Sequence, residues 1–360
     1  MSVLHFVLPF LVLLGILVFV HELGHFLVAK SLGIRVLKFS LGFGPRVLGW
    51  TRGETEYLLS AVPLGGYVKL YGEDPDERLP EGEGARSFSA RPVWHRLATV
   101  VAGPLMNFVL AVGLFAGLNA AGVPLEQLAA ETPEAVVGEV SPGMPAEAAG
   151  LKGGDVVVAV DGRGVTSWEE MAAAIAGSGG RRVVLTVRRG GDKLSIPLTP
   201  VTKDVGEGQP RPVIGIVRGG FSEATGKGAA WRAPWNGVLA TASWTRKTAE
   251  VLGEMIVGRA SPKNLGGPIA IAKMAGETAK QGALSFLFLM AVLSVNLGTL
   301  NLFPLPILDG GHVLFFLVEA VRGRPVSVKH REAAQQFGLL VLLLLMAFVF
   351  YNDIVRLVSG

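Results

Sequence analysis

His21-Glu22-Leu23-Gly24-His25 lies inside a long apolar run, and that placement constrains the chain more than any other feature. Fifteen uncharged residues, Phe6 to Val20, lead into it, and Phe26-Leu27-Val28-Ala29 follow. A helix over this run is about 36 Å long at 1.5 Å per residue, enough to cross the hydrocarbon core of a bilayer. Residues four apart share a helix face, so both imidazoles can approach one metal ion. Glu22 stands beside them, where a carboxylate can take a proton from metal-bound water. Two core histidines with polar partners are the plainer alternative. That alternative leaves three ionisable groups at membrane depth unexplained, and such groups are costly unless they do something. The pattern predicts a zinc-dependent hydrolase set in a membrane.

Composition agrees. Half of the 360 residues are hydrophobic and 17% are charged, a balance typical of integral membrane proteins. The formal charge of +4 is spread along the chain, so no basic stripe for nucleic acid forms. With no cysteine, a metal must rest on His, Asp or Glu. The N-terminus has neither a basic leader nor a small-residue cleavage site, and the first span is expected to be retained.

The expected architecture is an α-helical membrane protein with four transmembrane helices, one of them discontinuous. A membrane-associated β-hairpin region and an inserted α+β domain complete it. Residues 1–32 form the first span. Residues 33–95 form β-hairpins and a polar loop, with Phe39, Leu41 and Phe43 alternating at a strand period. One edge there either pairs with an extended substrate or is merely structural. Residues 96–122 make the second span. Within it Pro104 and Asn107 predict a kink and a helix–helix hydrogen bond, Asn107 being read as structural rather than as the support of a metal ligand.

Residues 132–218 have a soluble composition and a strand–helix–strand rhythm. Residues 219–281 are amphipathic, and the Trp231, Trp235, Val238, Ala242 stripe suits a helix at the membrane surface or a plain helix docked on the bundle. Residues 282–318 are apolar but broken at Asn301-Leu-Phe-Pro304-Leu-Pro306-Ile-Leu-Asp309-Gly-Gly-His312. Two prolines and two glycines cannot continue a helix, and unwound backbone at that depth needs protein or a wet cavity around it. Asp309 at the break is the best third metal ligand, with His312 the rival. Asn301 either satisfies freed backbone or holds a substrate carbonyl. Residues 333–357 form the last span. Short-loop charge (Lys30, Arg35, Lys38 and Arg46; Arg322, Arg324, Lys329 and Arg331) places both of those loops in the cytoplasm. Both termini and the 132–218 domain are then outside, with the motif toward the cytoplasmic side.

Gly150-Leu-Lys-Gly-Gly-Asp155 with Val160-Asp161-Gly162 resembles a PDZ signature. His21-Glu22-x-x-His25, Phe39-Ser-Leu-Gly-Phe-Gly-Pro45, Pro63-Leu-Gly-Gly66, Gly103-Pro104-x-x-Asn107 and Asn301-x-x-Pro304-x-Pro306-x-x-Asp309-Gly310 follow one another in order. Together they resemble the site-2 protease family, of the bacterial regulator-of-sigma-E type. The resemblance implies Zn2+ on His21, His25 and Asp309, with Glu22 as catalytic base. It implies substrate handling by Asn301, Pro304 and Pro306 and by Phe39, Leu41 and Phe43 of the hairpin. It further implies a bacterial inner-membrane location and pre-trimmed single-span substrates, such as anti-sigma factors or remnant signal peptides. An extracytoplasmic peptide would bind the PDZ domain, and no nucleic acid is expected. The chain carries one PDZ copy where the best-studied relatives carry two. Outside this class stand a metal transporter and a non-catalytic PDZ receptor or chaperone.

Overall fold

The computed structural model describes residues 4–73, 84–123, 135–203, 211–218, 230–259 and 266–359. The chain divides into two compact units. The first holds residues 1–111, 244–276 and 290–354; the second holds 112–243, 277–289 and 355–360.

Four helices among the described residues are long and apolar enough to cross a membrane. They are α1 (Leu4–Ser31), α2 (Val93–Ala120), α7 (Ala283–Asn301) and α9 (Val328–Ser359). Large apolar side chains such as Leu8, Val12, Leu343 and Leu344 are left exposed on them, as suits surfaces that face lipid tails. The chain is therefore a multi-pass membrane protein. The last helix begins at Val328, five residues before the expected 333, because Lys329, His330 and Arg331 form a polar first turn.

In the first unit, α1 and α2 approach so closely that a Cβ on Gly24 would overlap the carbonyl of Ala102. Small residues let membrane helices meet backbone to backbone. Between these helices come two bent strands, β1 (Val36–Arg52) and β2 (Thr55–Leu70), paired antiparallel. They turn at Gly53-Glu54, as the sequence predicts. Gly44-Pro45 makes a bend within β1 rather than an end. Gly42 and Gly44 take φ of +88° and +85° there, a region that favours glycine. Phe39, Ser40 and Leu41 consequently have partners on both sides: Val68, Tyr67 and Gly66 on one, Tyr57, Leu58 and Leu59 on the other. Ala29, Ile34, Val36, Leu70, Phe88 and Phe316 form the core beneath.

The third span is interrupted, as expected. α7 ends at Asn301 and α8 (Asp309–Arg322) starts after an interval of seven residues. Tight turns satisfy the break: Phe303 N–H donates to Leu300 O, Leu305 N–H to Phe303 O, and Leu308 N–H to Leu305 O. Gly310 and Gly311 then seat α8 directly on this backbone. A Cβ on either would overlap Leu302–Phe303 or Leu305–Pro306.

The second unit contains the α+β domain. Its sheet runs β10-β3-β4-β6-β7, with β5 pairing β4. These strands are β3 (Ala135–Val140), β4 (Val156–Val160), β5 (Arg163–Gly164), β6 (Val183–Arg189), β7 (Asp192–Leu198) and β10 (Ile216–Arg218). β8 (Val201–Lys203) and β9 (Arg211–Val213) pair separately, and α3 (Pro145–Ala148) and α4 (Trp168–Ala176) complete the domain. Val137, Val157, Met171, Leu185 and Val187 fill its core. The Gly150–Asp155 motif is a clasp: buried Asp155 accepts from Arg189 at 2.6 and 2.7 Å and from Lys152 N–H at 2.9 Å.

The amphipathic region supplies α5 (Ala233–Ile256) and α6 (Pro268–Gln281); residues 219–229 and 260–265, with Lys227 and Asn264, lie outside the described residues. At the start of α5, Ala233, Ala240 and Thr241 are buried, and Gly237 packs against Val112 and Ala116 of α2. Trp231 and Trp235 face outward, 76% and 64% exposed. The polar loop expected after Glu73 also falls mostly outside the described residues, at 74–83.

Two ties in the first unit generate predictions. Arg96 and Glu319 form a two-pronged ion pair, one prong at 3.1 Å, with side chains only 11% and 15% exposed. Arg96→Met alone strands a buried carboxylate and should cost roughly 3–5 kcal/mol, whereas Arg96→Met with Glu319→Leu should recover most of that. Thermal unfolding in detergent compares them. Glu54 accepts from Arg86 at 2.8 Å and Lys30 at 2.9 Å. These bonds, Arg86 first, pull its carboxyl from 4.5 to about 2. A lowered carboxyl contributes stability above its unfolded pKa and loses it as pH falls through the folded one. The tie should hold at neutral pH and fade between 4.5 and about 2, and Glu54→Gln should flatten that part of the stability-against-pH curve.

Candidate active site

His21 and His25 project from one face of α1, as their spacing predicts, and Asp309 is the first residue of α8. His21 Nε2 lies 3.2 Å from His25 Nε2 and 3.1 Å from Asp309 Oδ2, and His25 Nε2 is 3.6 Å from the same oxygen. Ligand atoms about 2.0–2.1 Å from a tetrahedral metal sit roughly 3.3 Å apart. The three atoms thus outline one face of such a tetrahedron. No other group of three such residues was found among the described residues. His312 is in the first turn of α8 but outside this group, its ring against Phe315.

The other ring nitrogens are held from α2. His25 Nδ1 is 2.9 Å from the Thr99 carbonyl, and His21 Nδ1 is 3.0 Å from the Asn107 amide. This contact is the helix–helix hydrogen bond expected of Asn107, and its partner on α1 is a histidine of the site. Gly103 lies between the two levels. A Cβ there would overlap the His25 ring and crowd His21. Thr99 was not foreseen from the sequence and Gly103 was noted only as part of a motif, although the four-residue spacing of 99, 103 and 107 marks one stripe of α2.

A cleft of about 470 Å³ opens on the group. Glu22, Asn301, Phe43, Gly65 and Gly66 line it together with His21 and Asp309, and Val18, Leu297 and Ile307 make its walls apolar. Glu22 lies within hydrogen-bonding reach of the Val68 amide of β2, and a Cβ on Gly66 would touch its side chain. The structure thus brings His21, Glu22, His25, Asn301, Phe43 and Asp309 together. It does not place the other expected substrate residues on this cleft. Phe39 is 6% exposed and packs edge-on against Phe19 and Phe26. Its neighbour in the alternation, Leu41, is in mid-sheet between two partners. Pro304 is exposed and Pro306 packs near Gly338, both serving the break itself.

Residues 9–345 match the family model described as peptidase family M50. The chain belongs to that family. It is 32% identical to the zinc metalloprotease RasP of Geobacillus kaustophilus, over 97% of each chain. It is 31–32% identical to curated relatives that include the protease RseP of Yersinia pestis, matched over 99% of this chain and 100% of its own. A relative from Agrobacterium fabrum, 38% identical over 98% of this chain and 97% of its own, carries a provisional zinc-metalloprotease name. As an M50 peptidase the chain is an intramembrane zinc metalloprotease, and zinc is its cofactor. Two imidazoles, one carboxylate and an open side toward a cleft are a donor set that fits catalytic zinc.

The tight fit at Gly103 is directly testable. Gly103→Val should push the imidazoles apart and lower bound zinc several-fold, while Gly113→Val, where a Cβ meets nothing within 4 Å, should leave it unchanged. Metal analysis of the purified proteins reads both.

Proposed function

We propose that His21, His25 and Asp309 hold the zinc and that Glu22 is the catalytic base. The observation that carries this reading is the set of three ligand atoms 3.1–3.6 Å apart, with Glu22 lining the same cleft. Zinc bound there would polarise the scissile carbonyl and acidify the attacking water. Glu22 takes the proton of that water and returns it to the departing amine. The apolar walls of Val18, Leu297 and Ile307 keep bulk water from the reacting groups.

The substrate is a transmembrane segment whose amides are locked in i to i−4 bonds until it unwinds. The edge of β2 at Gly65-Gly66, bare of side chains beside Glu22, supplies backbone partners for the unwound stretch. Asn301, at the end of α7, offers its amide to a substrate carbonyl, and Phe43 forms an apolar wall. Phe39, Leu41, Pro304 and Pro306 act indirectly, by shaping the sheet and the break.

The α+β domain of the second unit fits a PDZ reading, with β10 at the sheet edge open to an added peptide strand. Short-loop charge supports a cytoplasmic position for the loops after α1 and α8, hence extracytoplasmic termini and PDZ domain in a bacterial inner membrane. Single-span proteins already trimmed outside, of the anti-sigma or remnant signal-peptide kind, are the substrate class proposed.

The test uses the full chain in detergent with a tagged single-span reporter. Glu22→Gln should keep zinc and lose cleavage by roughly 10²–10⁴-fold, whereas Asp309→Ala should lose zinc and activity together. Cleavage retained by Glu22→Gln would remove the base assignment, and full zinc in Asp309→Ala would remove the third ligand.

A further inference from the structure

Asn107 is fully buried, at 0% exposure, on the stripe of α2 that carries Thr99 and Gly103. Its backbone carbonyl accepts from Ser294 Oγ at 2.8 Å, which fixes the residue without fixing its amide. The amide nitrogen lies 3.0 Å from His21 Nδ1, and the amide oxygen, also buried, has no hydrogen-bond partner among the described residues.

The following step rests on His21 being a zinc ligand. Nε2 is the nitrogen that faces His25 and Asp309. If that atom gives its lone pair to the metal, the ring proton stands on Nδ1, and the group opposite must be an acceptor. Two donors facing each other at 3.0 Å would repel. A half-turn about the terminal torsion of Asn107 exchanges oxygen and nitrogen in place, and that torsion is broadly two-fold.

We propose that Asn107 is a positioning residue that presents its amide oxygen to His21 Nδ1–H, fixing the tautomer and aim of the first zinc ligand. The Thr99 carbonyl does the same for His25. α2 thereby holds both imidazoles from behind, at two levels of one face, and Gly103 makes the room between them.

The experiment uses the full chain in detergent as wild type, Asn107→Leu, Asn107→Asp and His21→Leu. Zinc affinity is measured by competition with a chelator, and the cobalt-substituted proteins give visible spectra. Leucine removes both amide functions at similar size, while aspartate can only accept. Asn107→Leu should weaken zinc binding roughly 10- to 100-fold and shift the cobalt bands. Asn107→Asp should bind zinc at least as tightly as wild type. An Asn107→Leu protein with wild-type affinity and spectrum would make Asn107 a helix-packing group only. Loss of zinc in Asn107→Asp would show that the amide donates, which overturns the proposal, and this arm decides alone should the leucine variant not fold. His21→Leu separates the two layers of inference. Wild-type zinc affinity in it would remove the ligand assignment, whereas its loss beside an unaffected Asn107→Leu removes only the role of Asn107.

Discussion

A hydrocarbon environment offers no water to a polar side chain, so each polar atom at membrane depth needs a protein partner or a metal. His21, His25 and Asp309 turn their ligand atoms toward one another, at 3.1–3.6 Å, and Asp309 Oδ2 is buried with no hydrogen-bond partner among the described residues, as suits an atom meant for a metal. They can do so only because the helices that carry them come unusually close. Gly24 removes the side chain that would hold α1 away from α2, and Gly103 removes the one that would collide with the imidazoles. Gly310 and Gly311 do the same for α8 against the break before it. The polar group and the glycines thus depend on each other, close backbone approach being the condition for bringing the three ligand atoms together.

The same demand governs the backbone. The seven-residue interval between α7 and α8 would expose unpaired amides and carbonyls, yet its turns return hydrogen bonds to Leu300, Phe303 and Leu305. The prolines contribute by having no amide to satisfy. Across the cleft, β2 presents an edge at Gly65 and Gly66 close to Glu22. An open sheet edge is a liability that proteins usually cover or charge. Here it borders the cleft, and on the proposed reading it is the edge to which the unwound substrate adds.

Much of this was legible because periodicity reports faces directly. The spacing of His21 and His25 and the carboxylate at a proline–glycine break follow from local pattern, and the structure has them where the pattern puts them. Alternation in β1 was legible too, but it says which residues share a face, not which face is inward. Phe39 therefore went unrecognised as a core residue, and the double pairing of Phe39–Leu41 depends on a bend that glycines at positive φ permit without announcing it. Asn107 makes the helix–helix hydrogen bond expected of it, but the identity of its partner was hidden for a related reason. A buried amide in a membrane helix suits any nearby polar partner, and only three-dimensional placement shows that the partner is an imidazole of the site.

On the proposed reading, cleavage is limited by what unwinding costs the substrate. Each i to i−4 bond opened in an apolar cleft strands a donor and an acceptor, at several kcal/mol per group if nothing replaces it. The edge of β2 and the Asn301 amide can replace only the few bonds within their reach. Residues beyond that reach must stay helical or find water. The cleft of about 470 Å³ has room for a short extended stretch rather than a whole helix. Sequence selectivity then arises less from side-chain pockets than from how readily a few consecutive substrate residues leave the helix, and glycine, proline and β-branched residues lower that cost.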